Sequence, residues 1–312
     1  MTDVAEVRER LRKGFAGTIR EMVPLAEFTT FRIGGPASLL AVPEGREDLS
    51  LLLSAVGESG LPLLVLGRGS NVLVSDRGFD GVVVVVGKGL QRITRKGKCE
   101  VYVEGGCDLN RLINWAIEMG LGGLEDLAGI PASVGGAVRM NAGACGSTIG
   151  QSVTRVAVMG LEGYGVKVRE LKRKDLDFSY RHSNIAEGHI VFEAGIELHE
   201  ADAHSLYARR GEVMAWRREN QPLRQPSAGS VFRNPPGAAA GELIDGCGLK
   251  GTRIGGAMVS EMHANFIVNV GGARAEDVYR LIVRIKDEVM RREGVQLHEE
   301  IRLVGEMGEG VV

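Results

Sequence analysis

One stretch of small residues constrains this chain more than any other. Residues 127–143 read Leu127-Ala128-Gly129-Ile130-Pro131-Ala132-Ser133-Val134-Gly135-Gly136-Ala137-Val138-Arg139-Met140-Asn141-Ala142-Gly143, with almost no bulky polar side chain. A segment of this kind can lay its backbone along a flat or extended ligand. A loop that only connects two elements rarely needs so many small residues in succession. Glycine is in surplus throughout, at 45 of 312 residues, against about 22 for an average usage of roughly 7%. The glycines cluster, and only 9 prolines accompany them, which excludes a collagen-like or linker-like chain. Many backbone positions must need positive φ or close approach to something.

A second glycine-rich segment, Leu66-Gly67-Arg68-Gly69-Ser70-Asn71-Val72, follows an apolar run that reads as a buried strand. Glycines there let backbone N–H groups approach phosphate oxygens, and Ser70 and Asn71 add side-chain donors. It is not the dinucleotide fingerprint of parallel α/β sheets. Val72 occupies the third glycine position, and no acidic ribose anchor lies at the expected distance. Taken alone it reads as a tight turn. Residues 81–88 have a phosphate-loop outline, but the spacing is one residue too long and Gly89 stands where Ser or Thr should hold magnesium. The valines between read as a strand buried on both faces.

Length predicts two or three domains. A net charge of −2 supplies no basic field for nucleic acid. The longest apolar runs, 61–66 and 82–86, are far short of a membrane span. The acidic N-terminus without an apolar core predicts no signal peptide. Cys99, Cys107, Cys145 and Cys247 lack metal-ligand or redox spacing, which predicts free thiols in a reducing cytoplasm.

Helical periodicity is expected at 4–15, 46–59 and 203–220, and in an amphipathic 275–293 with Val278, Leu281, Ile282, Ile285 and Val289 on one face. Asp108 reads as the N-cap of another helix, carrying Leu109, Leu112, Ile113, Ala116 and Ile117. Strands are expected at 61–66, 81–87, 100–104, 153–158, 166–171, 189–198 and 300–304. The pattern is lost between 120 and 150. Residues 221–241, rich in Pro, Ser and Gly, read as ordered loop. A composition shift places a domain boundary near residue 203.

Three further motifs hold side chains able to do chemistry. In Phe178-Ser179-Tyr180-Arg181-His182-Ser183, Arg181 follows short aromatic strand residues; alone, it reads as a surface arginine in an ion pair. In Pro226-Ser227-Ala228-Gly229-Ser230-Val231-Phe232-Arg233-Asn234-Pro235, Ser230 sits among small residues where a loop can present its hydroxyl. It lacks the flanking pattern of a hydrolase nucleophile, and alone reads as a turn serine. In His298-Glu299-Glu300-Ile301-Arg302-Leu303, one carboxylate can face a site, or the pair is simply solvated.

Together the segments resemble the UDP-N-acetylenolpyruvoylglucosamine reductase family, bacterial flavoenzymes that make UDP-N-acetylmuramate. The match runs from about residue 28 to 305. Phe28-Thr29-Thr30-Phe31-Arg32-Ile33-Gly34-Gly35-Pro36-Ala37 resembles the family's opening signature, 67–74 and 130–146 its FAD-binding segments, and 228–235, 240–256, 259–269 and 298–305 its substrate-domain and closing motifs. The resemblance implies an α+β fold: an FAD-binding domain of the PCMH/vanillyl-alcohol-oxidase type in two subdomains, with a smaller α+β substrate-binding domain. On that basis residues 1–203 form the FAD-binding domain (subdomains 1–87 and 88–203), 204–298 the substrate domain, and 299–312 return to the first.

The resemblance further implies non-covalent FAD held by Gly67, Gly69, Ser70, Asn71, Ile130, Ser133, Gly135, Gly136, Asn141, Ala142 and Gly143. It implies NADPH as electron donor, a nucleotide-sugar substrate, no metal, no nucleic acid or membrane partner, and a cytoplasmic monomer or weak oligomer. Arg181, Ser230 and Glu300 map onto the family's catalytic residues, and Asn234 onto a substrate contact. Ala132 stands where many members have glycine, which crowds the loop near FAD. The inserted loop with a substrate-clamping tyrosine, found in one branch, is absent, so the clamp on the diphosphate is unassigned. Arg217 and Arg218 are candidates by charge alone.

The implied substrate is an enol ether of pyruvate, whose reduction needs a hydride at the terminal carbon and a proton beside the carboxylate. Arg181 suits the enolate-like charge on the carboxylate, and Ser230 the proton donor. Glu300 makes sense there only if protonated, which requires a poorly solvated site. Two other readings stay open: a sugar or alcohol oxidase on the same flavin fold, with FAD tethered by His or Cys, and a nucleotide-sugar binding protein without turnover.

Overall fold

A computed structural model describes residues 2–163 and 165–308. The chain forms two compact units. The first comprises Met1–Glu21, Ser38–Arg68 and Gly81–Trp216, and the second Met22–Ala37, Gly69–Asp80 and Arg217–Val312. Segments 22–37 and 69–80, expected with the first domain, thus group with the C-terminal part of the chain. The expected boundary near 203 instead marks the start of a helix, Ala203–Asn220, that stays with the first unit to Trp216.

The first unit has two apolar cores. One gathers Leu49, Leu52, Leu53 and Val56 from the helix Arg46–Ser59 against Leu39, Ala41, Val82 and Val84. Leu63–Leu66 runs parallel to the valine strand, Leu63 opposite Val82 and Leu66 opposite Val85. Val82, Val83 and Val84 are fully buried, so the strand is covered on both faces as its unbroken apolar sequence predicts. The shorter strand starts at Leu63 because Pro62 has no N–H to give to a ladder.

The second core lies on an antiparallel five-stranded sheet in the order Gly165–Lys172, Val153–Glu162, Ile190–Glu197, Glu100–Glu104, Ile93–Arg95. Alternation puts Val101 and Val103 into this core with Val156, Val158, Ala194 and Ile196. The helix Leu109–Glu118 packs Leu109, Leu112, Ile113, Ala116 and Ile117 onto it. Asp108 caps that helix, its carboxylate accepting from Arg111 N, which stabilises a helix start by typically about 1 kcal/mol.

In the second unit, Ala275–Glu293 buries Val278, Leu281, Ile282, Ile285 and Val289, the face read from sequence. The Asp76 carboxylate accepts from Ala275 N at 2.9 Å and Glu276 N at 3.1 Å, satisfying two donors of the first turn. A three-stranded antiparallel sheet, Arg253–Ile254, Ala257–Val259 and Ile267–Asn269, packs in the same core. The terminal strand Arg302–Val304 runs parallel to Val72–Val74. No helix among the described residues is long and apolar enough to cross a membrane.

Candidate active site

In the first unit, the small-residue segment is clamped from below. Asn110 Nδ2 donates to Ile130 O at 2.9 Å, and Asn110 Oδ1 accepts from Gly129 N at 2.6 Å. Val134 N donates to Cys107 O and Gly135 N to Gly105 O, each at 2.8 Å. A short helix, Val134–Arg139, begins at Ser133, whose Oγ accepts from Gly136 N. Sequence periodicity misses this helix, because Gly135 and Gly136 are poor helix formers; the burial of Val134, Ala137 and Val138 holds it instead. Ala132 is also buried in this core, and its methyl is part of the segment's apolar base.

The absent Cβ atoms have identifiable uses. A Cβ on Gly67 would lie 2.1 Å from Ser133 Oγ, one on Gly135 2.9 Å from Val191 O, and one on Gly143 2.8 Å from Ser147 O. Along the segment Ile130, Gly135, Ala142 and Gly143 are half-exposed and Gly136 is exposed. A firm apolar base under an accessible, side-chain-poor surface fits a flat, extended dinucleotide. Of the residues expected to hold FAD, Gly67, Ile130, Gly135, Gly136, Ala142 and Gly143 are accessible, whereas Ser133 is 3% exposed and its hydroxyl is used as a helix cap. Asn141 is likewise only 4% exposed, and its side chain bonds to Gly150 N and Ser179 O.

The same segment meets Arg181. The strands Phe178–Ser179 and His182–Ser183 pair antiparallel around Tyr180 and Arg181. Arg181 Nη1 donates to Gly143 O at 3.1 Å, and its guanidinium lies 5.3 Å from the Tyr180 ring centroid. Arg181 has φ 55°, a left-handed conformation that costs a non-glycine residue roughly 1–2 kcal/mol. Arg218, at the end of Ala203–Asn220, is exposed, whereas the neighbouring Arg217 is 8% exposed and donates to Gln221 Oε1 at 3.0 Å.

The second unit brings Ser230 and Glu300 together. Ser230 bridges Phe266, and Phe232 bridges Glu299, both antiparallel. Glu300 N donates to Val231 O at 2.7 Å. Of the two adjacent carboxylates, Glu299 pairs with Lys286 at 2.9 Å, and half-buried Glu300 is the one whose backbone holds the residue after Ser230. Asn71 joins them: its Nδ2 donates to Glu300 O at 3.1 Å, and its carbonyl accepts from Arg302 N at 2.9 Å. Gly69, with φ 60°, has no room for a Cβ, which would meet Phe28 O at 2.0 Å. Half-buried Ser70 lies between them. Exposed Asn234 accepts at Oδ1 from Ala240 N at 3.0 Å.

Asn265 is a residue of this site that sequence reasoning missed. It is 4% exposed; its Oδ1 accepts from Phe232 N at 2.9 Å and its Nδ2 donates to Phe232 O at 2.8 Å. Its carbonyl accepts from Val231 N. The available signal was an amide flanked by apolar residues that all bury, Ala264, Phe266 and Ile267, because a buried amide must be matched by partners. Thr30, from the opening signature, likewise donates from Oγ1 to Ser227 O at 2.7 Å.

Known proteins match most of the chain. Residues 37–169 match the FAD binding domain family, and 221–304 match the family of the UDP-N-acetylenolpyruvoylglucosamine reductase C-terminal domain. A UDP-N-acetylenolpyruvoylglucosamine reductase of Heliobacterium modesticaldum is 44% identical over 96% of this chain and 95% of its own. One from Syntrophus aciditrophicus is 40% identical over 97% of each. The crystal structure of the enzyme from Thermus caldophilus superposes with a TM-score of 0.79 at 39% identity, covering 93% of this chain and 100% of that one. The mixed architecture and the FAD-binding match agree with the fold class expected from sequence. The chain belongs to the UDP-N-acetylenolpyruvoylglucosamine reductase family and is an FAD-dependent oxidoreductase.

Proposed function

We propose that this protein reduces the enolpyruvyl group of UDP-N-acetylglucosamine enolpyruvate to give UDP-N-acetylmuramate for peptidoglycan synthesis, with NADPH as donor and non-covalently bound FAD. Bound FAD supplies a hydride carrier that can be charged by one partner and discharged to another. The chain's own residues have three tasks. Arg181 binds the substrate carboxylate and stabilises the negative charge that develops there on reduction. Ser230 delivers a proton from its hydroxyl to the carbon beside that carboxylate and is reprotonated from solvent through a proton relay. Glu300, in its protonated form, donates a hydrogen bond to the same charge. Asn234 and Arg218 contact the nucleotide sugar.

The observation that carries this reading is the 2.7 Å bond from Glu300 N to Val231 O. It ties the proton donor's loop to the carboxylate's segment across a long stretch of intervening sequence. Family membership supports the same roles, because the residue types expected at all three positions are present. The test begins with the visible spectrum of purified protein. Anaerobic NADPH should bleach a flavin band, and the enolpyruvyl nucleotide sugar should restore it. A protein that shows no flavin band after FAD is supplied, or whose bleached band ignores the substrate, would refute the proposal.

A further inference from the structure

We infer that Asn141 is a positioning residue for Arg181, fixing the hairpin that presents the guanidinium, rather than a direct partner of FAD. This rests on the role proposed above for Arg181. The turn between Phe178–Ser179 and His182–Ser183 consists of Tyr180 and Arg181, and of the two only Arg181 is left-handed. A turn that is left-handed only at its second central residue favours Gly or Asn there. A hairpin with arginine there therefore needs bracing from outside.

That bracing comes from alternate residues of one short segment. Arg139 O accepts from Ser183 Oγ at 2.7 Å, Asn141 Nδ2 donates to Ser179 O at 2.8 Å, and Gly143 O accepts from Arg181 Nη1 at 3.1 Å. The three bonds reach the residues on both sides of the turn and Arg181 itself. Of these three bonds, only that of Asn141 uses a side chain of the 139–143 segment; the Arg139 guanidinium instead donates past the hairpin, to Ile185 O and Ala186 O. Its other amide end accepts from Gly150 N at 3.1 Å, so the carboxamide is oriented from both ends. Its own φ of 44° is one that asparagine tolerates better than most residues. Gly150 is small for the same reason: a Cβ there would lie 2.6 Å from Asn141 Oδ1.

The discriminating variant is Asn141→Asp. It keeps an acceptor for Gly150 N and replaces the donor to Ser179 O with a carboxylate oxygen. In FAD-loaded protein, stopped-flow bleaching by NADPH should stay within about twofold of wild type, and recovery on adding substrate should slow by about tenfold or more. On an Arg181→Ala background the added effect of Asn141→Asp should disappear, the coupling expected of residues acting as one unit. Wild-type recovery in Asn141→Asp overturns the proposal. So does an unchanged effect on the Arg181→Ala background, or loss of FAD with normal recovery in the loaded fraction, which would make Asn141 a cofactor contact. If Arg181→Ala itself recovers normally, the role of Arg181 falls and the proposal with it. If Arg181→Ala is slow and Asn141→Asp is not, only the positioning role falls. Should Asn141→Asp not fold, Gly150→Ala displaces the carboxamide instead, because its Cβ would lie 2.6 Å from Asn141 Oδ1, and the same selective slowing is required of it; wild-type recovery there overturns the proposal.

Discussion

A Cβ placed on Gly67 would lie 2.1 Å from Ser133 Oγ, so the two glycine-rich segments of the sequence are in direct contact within one unit. Ser133 also caps the short helix Val134–Arg139 through Gly136 N. Gly67→Ala should push Ser133 aside, loosening both the cap, at about 1 kcal/mol, and the surface proposed for FAD. The flavin-to-protein ratio after gel filtration should fall several-fold, and Ser133→Gly in the same chain should restore part of it. Full flavin content in Gly67→Ala would show that the contact has no bearing on cofactor retention.

Ser230 tests the division between the two half-reactions. Ser230→Ala removes a proton donor but no group that bears on charging the cofactor. Bleaching by NADPH should be nearly normal, and recovery with the enolpyruvyl substrate should slow by about 10²-fold or more. Normal recovery in stopped flow would remove Ser230 from the role of acid.

What was legible in the sequence was whatever depends on local period. The buried stripe of Ala275–Glu293, the Asp108 cap and the all-valine strand each follow from neighbours within a few residues. The helix Val134–Arg139 was hidden because its stability comes from the core beneath and not from its own glycines. Pairings such as Asn141 with Ser179, or Asn265 with Phe232, have no local signature; each polar atom finds a partner set by tertiary folding. The grouping of segments 22–37 and 69–80 with the C-terminal unit was illegible for the same reason: Phe31 and Ile33 lie in the opening signature and Leu73 in the first glycine-rich stretch, and only the fold shows that they share a core with Ala275–Glu293. The catalytic candidates were legible only as a set, through family resemblance, since each motif alone also reads as a turn or a surface ion pair.

Asn265 should be a stability hot spot. Asn265→Ala leaves Phe232 N and O without their partners in a buried place, at a cost of roughly 1–3 kcal/mol for each group left unsatisfied. Urea denaturation should show a midpoint lowered accordingly. A change below about 0.5 kcal/mol, the scale of an ordinary surface substitution, would mean that the loop re-forms its bonds elsewhere.

Three of the four thiols should separate by environment. Burial pushes the Cys107 thiol up to about 11, so almost no reactive thiolate exists there at neutral pH. Burial also raises the Cys247 thiol. Cys145 is exposed. An aromatic disulfide reagent at pH 8 should react fast with Cys145 and reach Cys107 only on unfolding. Cys145→Ser should abolish the fast phase, and a fast phase that survives would place the reactive thiol elsewhere.

His263 gives the second unit a pH dependence whose sign is fixed. Its Nδ1 accepts from Asn265 N at 3.2 Å, a bond that only the unprotonated nitrogen can accept. Burial lowers its pKa from 6.5, outweighing an opposing backbone hydrogen bond, and the nearby Lys250 charge adds a lesser push in the same direction as burial. The folded state therefore binds a proton less readily than the unfolded chain. The stabilisation is fully present above the unfolded value near 6.5 and is lost as pH falls through the lowered folded value. Because Asn265 holds Phe232 from both sides, the loss should reach the loop that carries Ser230. The difference in denaturation midpoint between wild type and His263→Gln should be largest at pH 7–8 and shrink as pH drops below about 6.5. A difference that stays constant from pH 8 to pH 5 would show that His263 does not titrate with unfolding.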